Sequence, residues 1–160
     1  MDKITVALTT QTLLLNSVLV AALPAVLAIA LEYWATKRVS TIGVIVAVAL
    51  YAFLQAGVLY QAGGKVWLEG DELRVQSGFY KADWPKATLS VSTEPQLLAG
   101  KGTRINGVAM VGYRTGWFLY GEDRVFLLTT GDQMECVQQG GRIVLCLDAG
   151  LVEQLGLVSG

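Results

Sequence analysis

The stretch LLLNSVLVAALPAVLAIAL, from Leu13 to Leu31, contains no charged residue. A second uncharged stretch, VSTIGVIVAVALYAFLQAGVLYQAGG, runs from Val39 to Gly64. Each is as long as the roughly 20 helical residues that cross a hydrocarbon core about 30 Å thick. The sequence therefore predicts a membrane protein with an N-terminal two-helix transmembrane hairpin, its helices at about 8–33 and 39–62.

The composition and the link between the two stretches agree with this prediction. The chain is 53% hydrophobic and only 16% charged, which is too apolar for an ordinary soluble domain. A cleaved signal peptide is the alternative for the first stretch, but the stretch is longer than a usual signal core and a second one follows closely. In the link, Tyr33 and Trp34 are typical of an interfacial aromatic belt.

The distribution of cations leaves the orientation of the hairpin open. Lys37 and Arg38 lie in the short link, whereas Lys3, Lys65 and Arg74 flank the other ends of the helices. Cytoplasmic segments are enriched in Lys and Arg. The close spacing of the two cations in the link favours a cytoplasmic link, whereas the larger number of cations at the other ends favours cytoplasmic termini. The sequence thus predicts a multi-pass membrane protein with the side of the remaining chain undecided; a bacterial inner (cytoplasmic) membrane is the localisation implied by the family resemblance described below.

Small residues recur at helical spacing in the predicted helices. They form three pairs: Ala21 and Ala25, Gly43 and Ala47, and Ala52 and Ala56. Such pairs allow close approach of helix backbones, within the hairpin or with other subunits. Asn16, Ser17 and Gln55 are expected to join helices by hydrogen bonds rather than to line a pathway, because neither stretch contains a charge typical of an ion route. Pro24 predicts a kink in the first helix.

From about Lys65 the sequence changes to short apolar alternations punctuated by Gly, Asp and Pro, which predict strands and tight turns. We therefore divide the chain into a helical hairpin, 1–62, and a mainly-β domain, 63–160. A two-residue turn at Gly70–Asp71 pairs Val66 with Val75 on a buried face. The same register leaves Trp67 opposite Arg74 on the outer face, where a cation-π contact is expected.

About seven short strands and one closing helix are expected in this domain. The segment Glu94–Gly107 has the glycines of a long loop. At the end of the chain, AGLVEQLGLV places apolar residues on one helical face, with Asp148 as the expected N-cap.

Four segments, GDELRVQSGFYKADWP, INGVAMVGYRTGWF, RVFLLTTGDQMECV and LCLDAGLVEQL, resemble in this order the bacterial PH-like (pleckstrin-homology-like) domains of small membrane proteins. The resemblance covers most of Val66 to Leu155. It implies a PH-like barrel of two roughly orthogonal sheets with a C-terminal helix, and homo-oligomeric assembly as in related domains. A proline that commonly precedes the glycine of the second motif is missing near Met110.

The run GYRTGWF, from Gly112 to Phe118, has two interpretations. Its glycines allow a strand to bend sharply or to approach another backbone, which favours a corner between sheets. Alternatively, Tyr113, Arg114 and Trp117 form an exposed aromatic and cationic contact surface. Trp67 and Arg74 are the other candidates for such a surface.

Residues suited to catalysis or to metal binding are scarce in the sequence. It contains no histidine, so the commonest general base and zinc ligand is missing. The AGKGT run at 99–103 lacks the order of a phosphate-binding loop. Acidic residues outnumber basic ones after Gly64, which disfavours nucleic acid. We expect no enzyme activity, no cofactor and no metal.

Cys136 and Cys146 lie on neighbouring predicted strands. A two-residue turn at Gly140–Gly141 pairs Cys136 with Leu145, whereas a three-residue loop brings the two sulfurs together. Reduced core cysteines are favoured over a disulfide, which would imply an oxidising compartment.

Together these patterns suggest a non-enzymatic, membrane-anchored PH-like module. Its predicted role is homo-oligomeric assembly or service as an accessory subunit of a bacterial membrane complex. Its predicted partners are membrane lipid and either further copies of itself or another membrane protein. The alternative is a lipid- or ligand-sensing module at the membrane surface, whose loop Glu94–Gly107 recognises a small ligand or a lipid headgroup.

Overall fold

A computed structural model describes residues 3–92, 102–131 and 133–157. Contacts divide the chain into a helical unit, Thr9–Ala62, and a β unit formed by the residues before Thr9 and after Ala62. The predicted pair of apolar helices followed by a mainly-β region with two sheets is confirmed.

The helical unit consists of two helices. The first is continuous from Thr10 to Thr36 and contains α1 (Thr10–Ser17), a π-helical segment (Val18–Ala22) and α2 (Leu23–Thr36). The second is α3 (Thr41–Gln61). Both are long and apolar enough to cross a membrane. The side chains of Thr9 and Ser40 cap the helix starts by accepting backbone N–H groups.

The π-helical segment explains how the first helix accommodates Pro24. Proline has no N–H and its ring clashes with the carbonyl four residues earlier in a regular α-helix. Immediately before it, the Leu23 N–H donates to the carbonyl of Val18, one residue further back than in an α-helix. The wider turn relieves the clash while the helix continues.

The described part of the β unit contains ten strands in two sheets. The four-stranded sheet has the order β1-β2-β3-β4 and the six-stranded sheet the order β5-β9-β10-β8-β7-β6. The strands are β1 (Ile4–Ala7), β2 (Gly63–Glu69), β3 (Glu72–Ser77), β4 (Tyr80–Pro85), β5 (Leu89–Val91), β6 (Thr103–Met110), β7 (Tyr113–Tyr120), β8 (Asp123–Thr129), β9 (Met134–Gln139) and β10 (Arg142–Asp148). Strands β8 and β10 pair in parallel, and the other pairs among these ten strands are antiparallel.

Strand β1 is the element that differs most from the sequence prediction. It precedes the first helix, yet it pairs with β2, with Ile4 opposite Val66 and Ala7 opposite Gly63. The residues before Thr9 therefore belong to the β unit and not to the helical domain predicted at 1–62. The hairpin is inserted between two adjacent strands of one sheet.

The core of the β unit lies between the two sheets. The buried residues that form it come from both sheets and from the C-terminal segment: Val6, Val66, Leu73, Val75, Ala82, Trp84, Tyr113, Phe126, Leu128, Val137, Leu145, Leu147, Val152, Leu155 and Leu157. A second buried cluster lies on the opposite face of the six-stranded sheet and includes Val125 and Leu127. Strand β8 is thus buried on both faces, which explains its continuous apolar sequence.

The C-terminal helix is shorter than predicted. It is a single turn, α4 (Leu151–Gln154), preceded by Gly150 in the left-handed conformation. Asp148 is not its N-cap, because its carboxylate accepts hydrogen bonds from the backbone N–H (2.7 Å) and hydroxyl (2.6 Å) of Thr130. The PH-like barrel remains a prediction.

Candidate interaction surfaces

Trp67 and Arg74 face each other across β2 and β3 on the outer face of the four-stranded sheet, in the predicted register. The predicted cation-π partner is wrong. Lys3, which precedes β1, places its ammonium 4.7 Å from the centre of the Trp67 ring. Arg74 instead forms ion pairs with Glu69 and Glu72, whose carboxylates offer stronger hydrogen bonds than an aromatic face.

These two carboxylates determine the electrostatics of Arg74. The hydrogen bond to Glu72, followed by the charge of Glu69, raises the pKa of Arg74 above its usual value. Because its charge is already balanced, Arg74 offers little attraction to a further anion. The surrounding sheet face forms an open depression of about 240 Å³. Its lining consists of Trp67, Arg74, Val75, Gln76, Lys81, Ala82 and Asp83.

Tyr113 lies in the core, with 1% of its surface exposed, and is not part of an exposed contact surface. The Ser77 hydroxyl donates to the carbonyl of Gly63 (3.0 Å), so its single proton is used. It therefore accepts the hydrogen bond from the Tyr113 hydroxyl (2.8 Å). This buried connection joins the two sheets. Burial raises the pKa of Tyr113, although the hydrogen bond with Ser77 acts in the opposite direction.

The glycines of the same run allow a close approach of two strands. Gly116 of β7 lies opposite Gly107 of β6 and has a φ of +100°. A Cβ atom on Gly116 would lie 2.5 Å from the Cα of Gly107 and 2.7 Å from the carbonyl oxygen of Asn106. The backbone approach that the glycines allow is present, but it lies between neighbouring strands of the six-stranded sheet and not at the predicted corner between sheets.

Trp117 and Arg114 have different environments. Trp117 packs edge-on against Phe126 and Trp84, with ring centres 5.2 and 6.2 Å apart, and so connects both sheets. The cation above its ring is Arg124, at 4.4 Å. Arg114 is exposed. The structure therefore does not unite Tyr113, Arg114 and Trp117 into one surface.

Cys136 and Cys146 form a disulfide, contrary to the expectation of reduced thiols. The turn at Gly140–Gly141 has two residues, which would pair Cys136 with Leu145. A β-bulge between Ile143 and Leu145 shifts the register by one residue and brings Cys146 opposite Cys136.

The small residues of the helices fall into two groups. Ala21, Ala25 and Ala47 are buried within the hairpin. Ala52 and Ala56 are exposed, on the side of α3 away from Ala47. As predicted for the polar residues, the Gln55 side-chain amide donates to the Ser17 hydroxyl (3.1 Å) and joins the two helices.

Gly43 has a different role from the predicted helix packing. A Cβ atom there would lie within 3 Å of the Glu32 carboxylate. This carboxylate accepts hydrogen bonds from the N–H (3.2 Å) and the hydroxyl of Ser40 at the start of α3. A negative charge there also interacts favourably with the helix dipole. Gly43 thus makes room for the carboxylate that binds Ser40, the residue that caps α3.

Two further predictions concern ligands. Most of the predicted loop Glu94–Gly107 lies outside the described residues, and its final part belongs to β6, which begins at Thr103. In the part of the chain that the structure describes, no group of three or more His, Cys, Asp or Glu side chains is arranged to hold a metal ion.

Comparisons with known proteins give no relative from which a function is transferable. The chain matches no protein-family model, no curated protein and no solved structure. The function proposed below therefore rests on the residues of this chain alone.

Proposed function

We propose that this chain is a non-enzymatic, multi-pass protein of a bacterial inner membrane. Its helical hairpin anchors the β unit and associates with other helices. In this role the chain forms a homo-oligomer or serves as an accessory subunit of a larger membrane complex.

Membrane anchoring is supported by the exposure of both apolar helices. Only 17% and 11% of the residues in their most apolar windows are buried, whereas the core helix of a soluble protein is mostly buried. Exposed apolar side chains are stable in lipid. A helix is also stable there, because its backbone N–H and C=O groups form hydrogen bonds with one another.

The observation that carries the assembly proposal is the outer face of α3. Ala52 and Ala56 are exposed there, and Ala49 lies on the same side. Large side chains would serve equally well against lipid, but small ones let a second helix approach closely. Because Ala21, Ala25 and Ala47 already pack inside the hairpin, this second group of alanines is available to a partner helix.

The disulfide supports an orientation. Cys136 and Cys146 lie in the β unit, and disulfides persist in oxidising compartments. With the β unit outside the cytoplasm, Lys37 and Arg38 in the link face the cytoplasm, which agrees with the enrichment of cations on that side.

The test is native mass spectrometry of the full chain after gentle extraction from its membrane. We expect either an integer multiple of the 17.2 kDa chain or a complex with a defined second protein. Replacing both alanines, Ala52→Leu with Ala56→Leu, should abolish that complex. Ala30→Leu, at an exposed position of the first helix, is the matched control and should leave it intact.

A bare monomer from the unaltered chain would contradict the assembly proposal. A complex that survives both leucines would place the contact elsewhere and remove its supporting observation. With a bare monomer, the lipid- or ligand-sensing alternative would take the place of assembly.

A further inference from the structure

Two hairpin turns of the β unit carry exposed apolar side chains. Phe79 lies in the β3–β4 turn and is 76% exposed, and Val111 lies in the β6–β7 turn and is 53% exposed. Large exposed apolar side chains at turn tips have no role in the core of a soluble domain and are typical of contact with a partner or a membrane.

Both turns lie at the end of the β unit from which the chain continues into the apolar helices. We call this the helix-side end. Gly63 begins β2 directly after α3, and the neighbouring Gly64 pairs with Ser77, the last residue of β3 before the Phe79 turn. The Ser77 hydroxyl binds both the carbonyl of Gly63 and the hydroxyl of Tyr113, which follows the Val111 turn. One hydrogen-bonded chain thus joins both turns to the start of β2.

The charged residues of the four-stranded sheet differ between its helix-side end and its opposite end. Lys65 and Lys81 lie in one row across β2, β3 and β4, on either side of Gln76 and close to the helix-side end. At the opposite end, the turn between β2 and β3 carries Asp71 and is flanked by Glu69 and Glu72. The row nearest the apolar tip thus carries the cations Lys65 and Lys81 and no carboxylate, whereas the opposite end carries carboxylates together with Arg74.

In the β6–β7–β8 region the turn at the helix-side end is likewise followed by a cation. Arg114 follows the Val111 turn and is exposed. The opposite turn, between β7 and β8, carries Glu122 and is followed by Asp123. Asp148, a carboxylate near the helix-side end, already accepts two hydrogen bonds from Thr130.

We propose that the helix-side end of the β unit is a lipid-contact surface. Phe79 and Val111 enter the interfacial layer of the bilayer, and Lys65, Lys81 and Arg114 face the anionic headgroups. Large apolar side chains, phenylalanine among them, bury at the boundary between headgroups and acyl chains, and basic side chains beside them are attracted to anionic lipids. The occupant is the bilayer that holds the chain's own helices, because the chain enters those helices from this end. This inference rests on the membrane anchoring proposed above.

The experiment measures the depth of a nitroxide in the full chain, reconstituted in vesicles that contain anionic lipid. Labels are placed by Phe79→Cys and Val111→Cys. Both side chains are mostly exposed, so their replacement leaves the core intact. The native cysteines are joined and buried, and the unmodified chain gives the labelling background.

Three further positions provide the controls. Asp71→Cys labels the opposite turn, and Ile105→Cys labels an exposed apolar side chain of β6 away from the Val111 turn. Val26→Cys, exposed in the first helix and one turn before Ala30, reports whether the hairpin itself is in lipid.

We expect the ratio of collisions with oxygen to collisions with a water-soluble nickel complex to be several-fold higher at 79 and 111 than at 71 and 105. Equal ratios at these four positions, with a lipid value at 26, would overturn this inference and leave the membrane anchor standing. A water value at 26 would overturn the inference and the anchor together.

Discussion

Replacing Gly116 by alanine should destabilise the β unit far more than the same change at a turn glycine. The φ of +100° at Gly116 is strained for any residue with a Cβ, at about 1–3 kcal/mol. The new methyl group also collides with the β6 backbone at 2.5 Å, and overpacking of this kind costs about 1–3 kcal/mol. The sum is a large share of the roughly 5–15 kcal/mol that stabilises an ordinary domain.

Gly121→Ala is the matched control, because Gly121 has a φ of +62° and, among the described residues, no neighbouring atom within 4 Å of the point where a Cβ would lie. The free energy of unfolding of this variant should fall only by the cost of the positive φ, about 1–2 kcal/mol. The assay is urea unfolding of the full chain in detergent, followed by tryptophan fluorescence from Trp84 and Trp117 in the core. If Gly116→Ala costs no more than Gly121→Ala, the close approach of β6 and β7 is not a tight constraint, and the reasoning is refuted.

Three other expectations concern the β unit. Because burial raises the pKa of Tyr113, its proton stabilises the folded state below about pH 10, and this contribution is lost as the pH rises further. Urea unfolding between pH 8 and pH 11 should show that loss in the unaltered chain and a flatter profile in Tyr113→Phe; parallel profiles would contradict it. Replacing Cys136 and Cys146 together by alanine should lower the free energy of unfolding by about 2–3 kcal/mol for the short loop that they close. No disulfide is present if this replacement leaves the urea midpoint unchanged and the unaltered chain has the same electrophoretic mobility with and without reducing agent. Alkaline phosphatase fused to the C-terminus should be active if the β unit lies outside the cytoplasm, whereas activity only when the enzyme is fused in the link would reverse the orientation.

The first β-hairpin shows what the sequence predicts well. The alternation of apolar and polar residues around Gly70–Asp71 sets both the pairing and the face of each side chain. Local pattern and turn length are sufficient here, because a register shift by one residue would expose Val66 and Val75. The same pattern did not predict the cation that contacts Trp67, because Lys3 is far from this hairpin in the sequence.

Other features depend on contacts that no local pattern reveals. Strand β1 is only four residues long and adjoins an apolar helix, so its alternation is indistinct until β2 pairs with it. The disulfide requires the bulge after Ile143, which has no marker in the sequence. Gly43 resembles a helix-packing residue, and only the position of the Glu32 carboxylate reveals its role.

The outer face of α3 is the most direct place to test assembly within the membrane. A photoactivatable amino acid at position 52 or 56, irradiated in intact membranes, should yield adducts with a protein, either a second copy of the chain or another membrane subunit. The same amino acid at position 30 should yield no protein adduct. If positions 52 and 56 behave like position 30 and give lipid adducts alone, no helix packs against Ala52 and Ala56, and the proposal of assembly through the hairpin is contradicted.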